Sequence, residues 1–101
     1  MSKQTDRLLD LIRQRRPELL ALAGSHGAKR LRIFGSVARG EDTTSSDVDF
    51  LVEMEDGRSL TDLVGLRDEL TDALGRPVDV VSERGIYPYL RERILSEAID
   101  L

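Results

Sequence analysis

The 101-residue sequence contains no cysteine and a single histidine, and its apolar residues are nowhere grouped into a long run. Without cysteine there is neither a disulfide framework nor a thiolate metal site, which fits a reducing cytoplasm. No apolar stretch approaches the roughly 20 residues that a membrane helix needs, and the first ten residues lack the apolar segment of a signal peptide. These absences predict a soluble, cytoplasmic protein that does not associate with membranes.

The sequence also lacks an excess of positive charge, because 15 basic residues face 19 acidic ones and the net charge is −4. A protein that wraps nucleic-acid backbone normally carries a strongly basic domain, so we do not expect direct nucleic-acid binding. The length suits one hydrophobic core and is too short for a catalytic domain plus a separate substrate domain. We therefore predict a single domain that spans residues 1–101.

Apolar spacing predicts helices first and then a strand. Residues 4–23 carry apolar positions three and four apart, which is typical of a helix with one buried face. Pro17 interrupts this pattern and predicts either a kink or two helices, ending at Gly24 or Gly27. Residues 29–34 alternate apolar and basic side chains, which predicts a half-exposed strand.

The second half of the chain continues the alternation. Residues 48–53 are mostly apolar and predict a central strand, and Pro77 introduces a third strand. Between them Ser59 begins a helix that Gly75 ends, and its leucine stripe is interpreted as core: Leu60, Leu63, Leu66, Leu70 and Leu74. A last helix carries one apolar face: Leu90, Ile94, Leu95 and Ala98. The predicted fold is an α/β domain with a small mixed sheet of three or four strands flanked by helices.

Three aspartates lie near the starts of two predicted strands. Asp47 and Asp49 occupy alternate positions and project on one face, about 6.6 Å apart along the strand. Asp79 interrupts the valines of the third strand. If the leucine-rich helix is a right-handed crossover, strands two and three are parallel and the three carboxylates meet. Carboxylates without histidine or cysteine favour a hard divalent ion such as Mg²⁺.

The pair Gly35-Ser36 follows the first predicted strand. An antiparallel pairing of strands one and two brings this pair to the same corner as the aspartates. Glycine lets a phosphate approach the backbone, serine adds a hydroxyl donor, and a short helix starting here would direct amides at an anion. A nucleoside triphosphate with two Mg²⁺ ions satisfies both halves of the corner, which indicates nucleotidyl transfer.

The Gly-Ser pair, two alternating aspartates ten residues later and the lone aspartate of the third strand resemble the signature of the DNA polymerase β-like nucleotidyltransferase superfamily. The segments FGSVARG, SDVDFLV and GRPVDVV resemble its minimal nucleotidyltransferase family. By this resemblance the catalytic, metal-binding residues are Asp47, Asp49 and Asp79, and the residues that bind ATP are Gly35, Ser36 and Arg39. Arg39 either contacts phosphate or forms a structural ion pair with Glu41 or Asp42.

Minimal nucleotidyltransferases resemble MntA-type antitoxins encoded beside HEPN-domain ribonuclease toxins. The resemblance implies Mg²⁺-dependent transfer of AMP from ATP to a toxin tyrosine, with the acceptor domain on a separate protein that assembles with this chain. Two alternatives stay open. The acceptor can be a small molecule or RNA end held by a partner, or the chain can be a non-catalytic antitoxin that neutralises its partner by binding.

The remaining polar and aromatic residues receive structural interpretations. His26 lies between glycines and is interpreted as an exposed loop residue. Tyr87 and Tyr89 flank Pro88, and we interpret them as aromatics that pack the last helix onto the sheet. Ser46 is interpreted as a turn residue.

Overall fold

The computed structural model describes residues 7–101, so the predicted helical start at residues 4–6 lies outside the described residues. Within that range the chain forms a short 3-10 helix over Glu83–Gly85 and five α-helices: α1 (Leu8–Gln14), α2 (Arg16–Ser25), α3 (Gly35–Arg39), α4 (Leu60–Leu74) and α5 (Pro88–Glu97). It also forms four strands: β1 (Ala28–Phe34), β2 (Val48–Met54), β3 (Val78–Ser82) and β4 (Ile99–Asp100). Of these described helices, none combines the length and the apolar character needed to cross a membrane.

The first two helices confirm the break predicted at proline. Arg15 separates α1 from α2, and Pro17 occupies the first turn of α2. Proline is tolerated there because the first amides of a helix have no partner within the helix. The helix ends at Ser25, between the two glycines predicted to end it, and Gly27 then takes a φ of +86°.

Helix α4 begins and ends as the sequence predicts. The Asp62 carboxylate accepts a hydrogen bond from the Ser59 amide at 2.9 Å, which satisfies a donor at the helix start. Gly75 ends the helix in the left-handed conformation. Leu66 and Leu70 are fully buried, but Leu60 is 73% exposed and its assignment to the core was wrong. Leu60 is the first residue of the helix, one turn before the leucines that pack on the core.

The four strands form one mixed sheet in the order β3-β2-β1-β4. Strand β1 runs antiparallel to both β2 and β4, whereas β2 and β3 are parallel and joined by α4. The antiparallel and parallel pairings, the fourth strand and the mixed α/β fold are confirmed. The last helix is shorter than predicted, since it ends at Glu97 and Ala98 is extended. The chain then returns to pair with β1 as β4.

One face of the sheet holds the hydrophobic core. Alternate strand residues such as Val48, Phe50 and Val52 point into it and are fully buried against the helices. The opposite face carries polar side chains such as Asp49 and Arg32, together with the fully buried Leu51. On β1 the prediction of a half-exposed strand was wrong at Arg32, which is only 7% exposed. Strands on both sides flank β1, and Glu83 covers the Arg32 guanidinium with a hydrogen bond of 2.5 Å.

Candidate active site

The register of the sheet brings two of the predicted acids together. Asp49 is the second residue of β2 and pairs with Asp79 of β3. Their strand neighbours Val48 and Val78 are buried in the core, so both aspartates project from the other face. Neighbouring strands lie about 4.8 Å apart, which makes the two carboxylates direct neighbours.

Asp47 completes this acidic group from the residue just before β2. It is exposed, as is Asp79, whereas Asp49 is partly buried. Burial raises the pKa of Asp49 from 3.8 to about 6, and the negative charges of Asp79 and Asp47 add to the rise. The three carboxylates are therefore close enough to repel one another. We name Asp47, Asp49 and Asp79 the acidic corner.

The acidic corner lies directly against the start of α3. Gly35 begins this helix with a φ of +78°, and a Cβ atom added there would lie 2.3 Å from Asp49 Oδ2. A Cβ atom at that distance would force the Asp49 carboxylate to move, and L-residues rarely adopt that φ. Glycine is thus favoured at this position for two reasons, and the Gly-Ser pair meets the carboxylates as the sequence predicts.

Arg39 ends the same short helix and lies between two carboxylates. Its Nε donates to Glu41 Oε1 at 2.9 Å and its Nη1 donates to Glu97 Oε1 at 3.0 Å. The structural ion pair with Glu41 left open by the sequence is therefore formed. The guanidinium also lowers the pKa of Asp49, although less than the neighbouring acids raise it, which indicates that it lies near the acidic corner.

A cleft of about 350 Å³ opens beside these residues. One wall consists of residues that the sequence analysis selected: Gly35, Ser36, Arg39 and Asp49. Helix α5 forms the facing wall, with residues that the sequence analysis did not select for the site: Leu90, Arg93, Ile94 and Glu97. Glu97 is 62 positions from Gly35 and belongs to no motif, so only a contact prediction between the last helix and α3 would have found it.

The acidic corner is not a closed metal cage. Within residues 7–101 no three acidic or histidine side chains stand close enough together to hold a metal ion as arranged. Mg²⁺ usually takes only one or two carboxylates from the protein and fills its other positions with water and substrate phosphate oxygens. The paired Asp49 and Asp79, with Asp47 beside them, fit that open type of site.

Four residues outside the cleft were given structural interpretations from the sequence, and the structure corrects three of these and confirms one. His26 lies in the turn after α2 as predicted but is not exposed, because its side chain is only 19% exposed and its Nε2 lies 2.6 Å from Glu69 Oε2 on α4. Tyr87 and Tyr89 do not pack on the sheet: they are 67% and 79% exposed and stack on each other with centroids 5.9 Å apart. Ser46 is a turn residue as predicted, since its hydroxyl accepts the amide hydrogen of Thr43.

Comparison with known sequences adds to this geometry. The nucleotidyltransferase domain family matches residues 9–101. A protein of Methanocaldococcus jannaschii, provisionally named protein adenylyltransferase MJ0435, is 48% identical over 84 residues, which are 83% of this chain and 90% of that protein. Protein adenylyltransferase MntA of Thermococcus cleftensis is 34% identical over 73 residues, which are 72% of this chain and 74% of that protein.

Solved structures of other proteins are also similar to this chain. A structure provisionally named as a minimal nucleotidyltransferase is 50% identical, with a TM-score of 0.84 over 99% of this chain and 100% of that one. A chain of the MntA-HepT toxin-antitoxin complex has a TM-score of 0.65 at 19% identity, over 85% of this chain and 68% of that one, which is a likeness of fold alone. The chain belongs to the nucleotidyltransferase domain family and, within it, to the minimal nucleotidyltransferases.

Proposed function

We propose that this chain is a metal-dependent protein adenylyltransferase that transfers AMP from ATP to a tyrosine hydroxyl of a HEPN-type toxin and thereby acts as its antitoxin. The observation that carries the proposal is the contact between Gly35 and Asp49, with Asp79 registered beside Asp49. It joins a glycine at which phosphate can approach the backbone to a group of unpaired carboxylates.

The acidic corner holds the metal in this proposal. Asp47, Asp49 and Asp79 are its protein ligands, and their mutual repulsion supports that role because a divalent cation would relieve it. Bound Mg²⁺, most often as two ions in such sites, would activate the attacking hydroxyl and neutralise charge on the leaving group. Oxygen ligands without histidine or cysteine suit this ion.

The remaining cleft residues bind the triphosphate. Gly35 leaves room for phosphate oxygens beside the backbone, and Ser36 supplies a hydroxyl donor. Arg39 supplies a positive charge in the same wall of the cleft, although two carboxylates already share its guanidinium. These assignments follow the sequence prediction and are supported by the presence of all three residues in one cleft.

In the proposed reaction the acceptor hydroxyl oxygen attacks the α-phosphorus of ATP. A new oxygen–phosphorus bond forms, the bond from the α-phosphorus to the bridging oxygen of the β-phosphate breaks, and pyrophosphate leaves. The acceptor hydroxyl loses its proton to Asp79, which is exposed on the outer strand of the sheet. The products are an AMP ester of the acceptor and pyrophosphate.

The names of two relatives, at 48% and 34% identity, support adenylyl transfer to a protein. A toxin as acceptor rests on the sequence resemblance to antitoxins of HEPN pairs. The MntA-HepT complex supports it only through the shared fold. We also propose that residues 1–101 form one domain and that the acceptor hydroxyl belongs to another protein.

Incubation of this chain with ATP and a HEPN-type protein tests the proposal. We expect label from [α-³²P]ATP on the partner, none from [γ-³²P]ATP, and the added mass of AMP on a tyrosine by mass spectrometry. Addition of EDTA should abolish transfer. Neutralisation of the partner without any AMP on it, with several metals tried, would instead support an antitoxin that acts by binding alone.

A further inference from the structure

Glu97, the last residue of α5, contacts both ends of α3. Its Oε1 accepts a hydrogen bond from the Gly35 amide at 3.3 Å and another from Arg39 Nη1 at 3.0 Å. Its Oε2 accepts from Arg93 Nε at 3.3 Å. One carboxylate oxygen thus holds the first and the last residue of a single short helix.

The surroundings of Glu97 stabilise its negative charge. The side chain is 19% exposed, and burial by itself opposes ionisation. Hydrogen bonds from Arg93 and Gly35 and the charge of Arg39 outweigh burial and hold the pKa of Glu97 below its ordinary value. Glu97 therefore accepts these bonds as a carboxylate, and charge-assisted bonds are about twice as strong as neutral ones.

Helix α3 needs such support because it has only five residues. A helix of that length does not cover the cost of its own nucleation. The backbone of Glu97 is held on one side by α5 and on the other by β4, which pairs with β1. Rotation of the Glu97 side chain would release the contact, and the hydrogen bonds from Arg39 and Arg93 oppose that rotation.

We propose that Glu97 is a positioning residue for the nucleotide: it fixes α3 so that Gly35, Ser36 and Arg39 face the cleft. This inference rests on the proposed function of the same cleft. A competing explanation gives Glu97 the opposite effect. As an anion on the Gly35 amide and the Arg39 guanidinium, it would occupy donors that the triphosphate needs and would weaken nucleotide binding.

The two explanations predict opposite signs for the same substitutions. If Glu97 positions α3, Glu97→Ala should weaken binding of Mg²⁺-ATP about tenfold, which is the loss expected for bonds to a charged group. Glu97→Gln should fall between Glu97→Ala and wild type, because its amide oxygen still accepts from Gly35 and Arg39. The KM for ATP should rise while kcat at saturating ATP changes little. Glu92→Ala, at an exposed position of the same helix, is the control.

Hydrogen exchange of the amides that close α3 provides a readout independent of nucleotide. The amides of Gly40 and Glu41 donate to Val37 and Ser36 in wild type, and they should exchange faster in both Glu97 variants. Thermal melts establish that each variant is folded at the assay temperature, and Glu97→Gln serves if Glu97→Ala is unfolded.

Tighter ATP binding in both variants would show that Glu97 competes with phosphate, and unchanged binding with unchanged exchange would show that it does neither. Either result overturns the inference. A wild-type chain that binds no ATP overturns the proposed function instead. The exchange rates then decide by themselves whether Glu97 holds α3.

Discussion

Acidic side chains at the two ends of β2 and β3 have opposite surroundings. At the end where these strands finish, each acid has a basic partner within 4 Å: Glu53 with Lys29, Asp56 with Arg84, and Glu83 with Arg32. At the end where they start, the acidic corner forms no such ion pair with any residue in the described range 7–101. The same sheet therefore neutralises its acids at one end and leaves them unpaired at the other.

The pKa values of Asp56 and Asp49 show this difference. The hydrogen bond and charge of Arg84 hold the pKa of Asp56 below its ordinary value. Burial and two neighbouring carboxylates raise the pKa of Asp49 to about 6. The folded protein thus favours the charged form of one aspartate and disfavours the charged form of the other.

The unpaired acids do not result from a shortage of arginine, since the sequence has 13 of them. Arg76 donates to the carbonyl oxygen of Ser46, the residue next to Asp47, yet it forms no ion pair with the acidic corner. When no metal is bound, acidic side chains that stay unpaired near an available arginine cost folding stability. The acidic corner therefore does not serve folding stability, and a bound divalent metal, as proposed, would neutralise its charge.

The largest expected effect is on the rate of AMP transfer, which should fall for a change at the acidic corner and not for a change at the opposite end of β2 and β3. Asp49→Asn removes a proposed metal ligand and should lower the rate of AMP transfer on the order of 10²-fold, which corresponds to roughly 3 kcal/mol. Asp56→Asn is the matched control at the paired end and should leave the rate unchanged. Single-turnover transfer of label from ATP measures both. Equal rates for the two variants would contradict the metal role of Asp49.

A smaller effect is expected at the glycine beside the acidic corner. Gly35→Ala places a methyl group against Asp49 Oδ2 and should reduce transfer about tenfold or more by displacing that carboxylate. Gly75→Ala has a similar positive φ but no atom within 4 Å of the added Cβ. Both variants should lose about 1 to 2 kcal/mol of stability from backbone strain, measured by urea denaturation. Only Gly35→Ala should lose activity.

The next effect concerns how the stability of the folded protein depends on pH. Because the folded-state pKa of Asp49 is raised, its proton is bound more tightly in the folded protein. The contribution of Asp49 is therefore favourable at low pH and is lost as pH rises from about 4 to about 6. Allowing for its partial exposure, metal-free Asp49→Asn should be more stable than wild type by about 1 kcal/mol at pH 7. The two proteins should have equal stability near pH 4, and denaturation at both pH values tests this.

The smallest effect is expected from breaking an ion pair at the neutralised end. Arg84 and Asp56 are both highly exposed, and solvent-exposed pairs contribute little. Arg84→Gln should leave the denaturation midpoint and the transfer rate unchanged within experimental scatter. A clear loss of activity in this variant would show that the two ends of the sheet are coupled, and the comparison would then fail.

The acidic corner could be predicted from sequence because short-range rules determine it. Alternation along a strand aligns Asp47 with Asp49, and the handedness of a crossover brings Asp79 beside them. The Gly-Ser pair follows from the antiparallel pairing of two strands close in sequence. Each of these steps follows from local periodicity or from a general rule for how neighbouring strands pair, and a single sequence displays the pattern that both need.

The facing wall of the cleft could not be predicted in the same way. Its position depends on β4, a two-residue strand that is too short to show a period. Without β4 nothing in the sequence indicates that the chain turns back at Ala98 or that Glu97 reaches Gly35. The prediction that Tyr87 and Tyr89 pack on the sheet was wrong for a related reason. Aromatic character predicts burial in general, but at the start of α5 both rings are exposed to solvent.

Strand β3 lies at one border of the sheet, with β2 as its one strand neighbour in the described part of the chain. Asp79 is therefore flanked by a strand on one side only. A bulky molecule can approach that carboxylate laterally without displacing any element of the sheet. The proposed reaction therefore does not require the acceptor hydroxyl to enter an enclosed cavity, which suits a hydroxyl on the surface of a folded macromolecule.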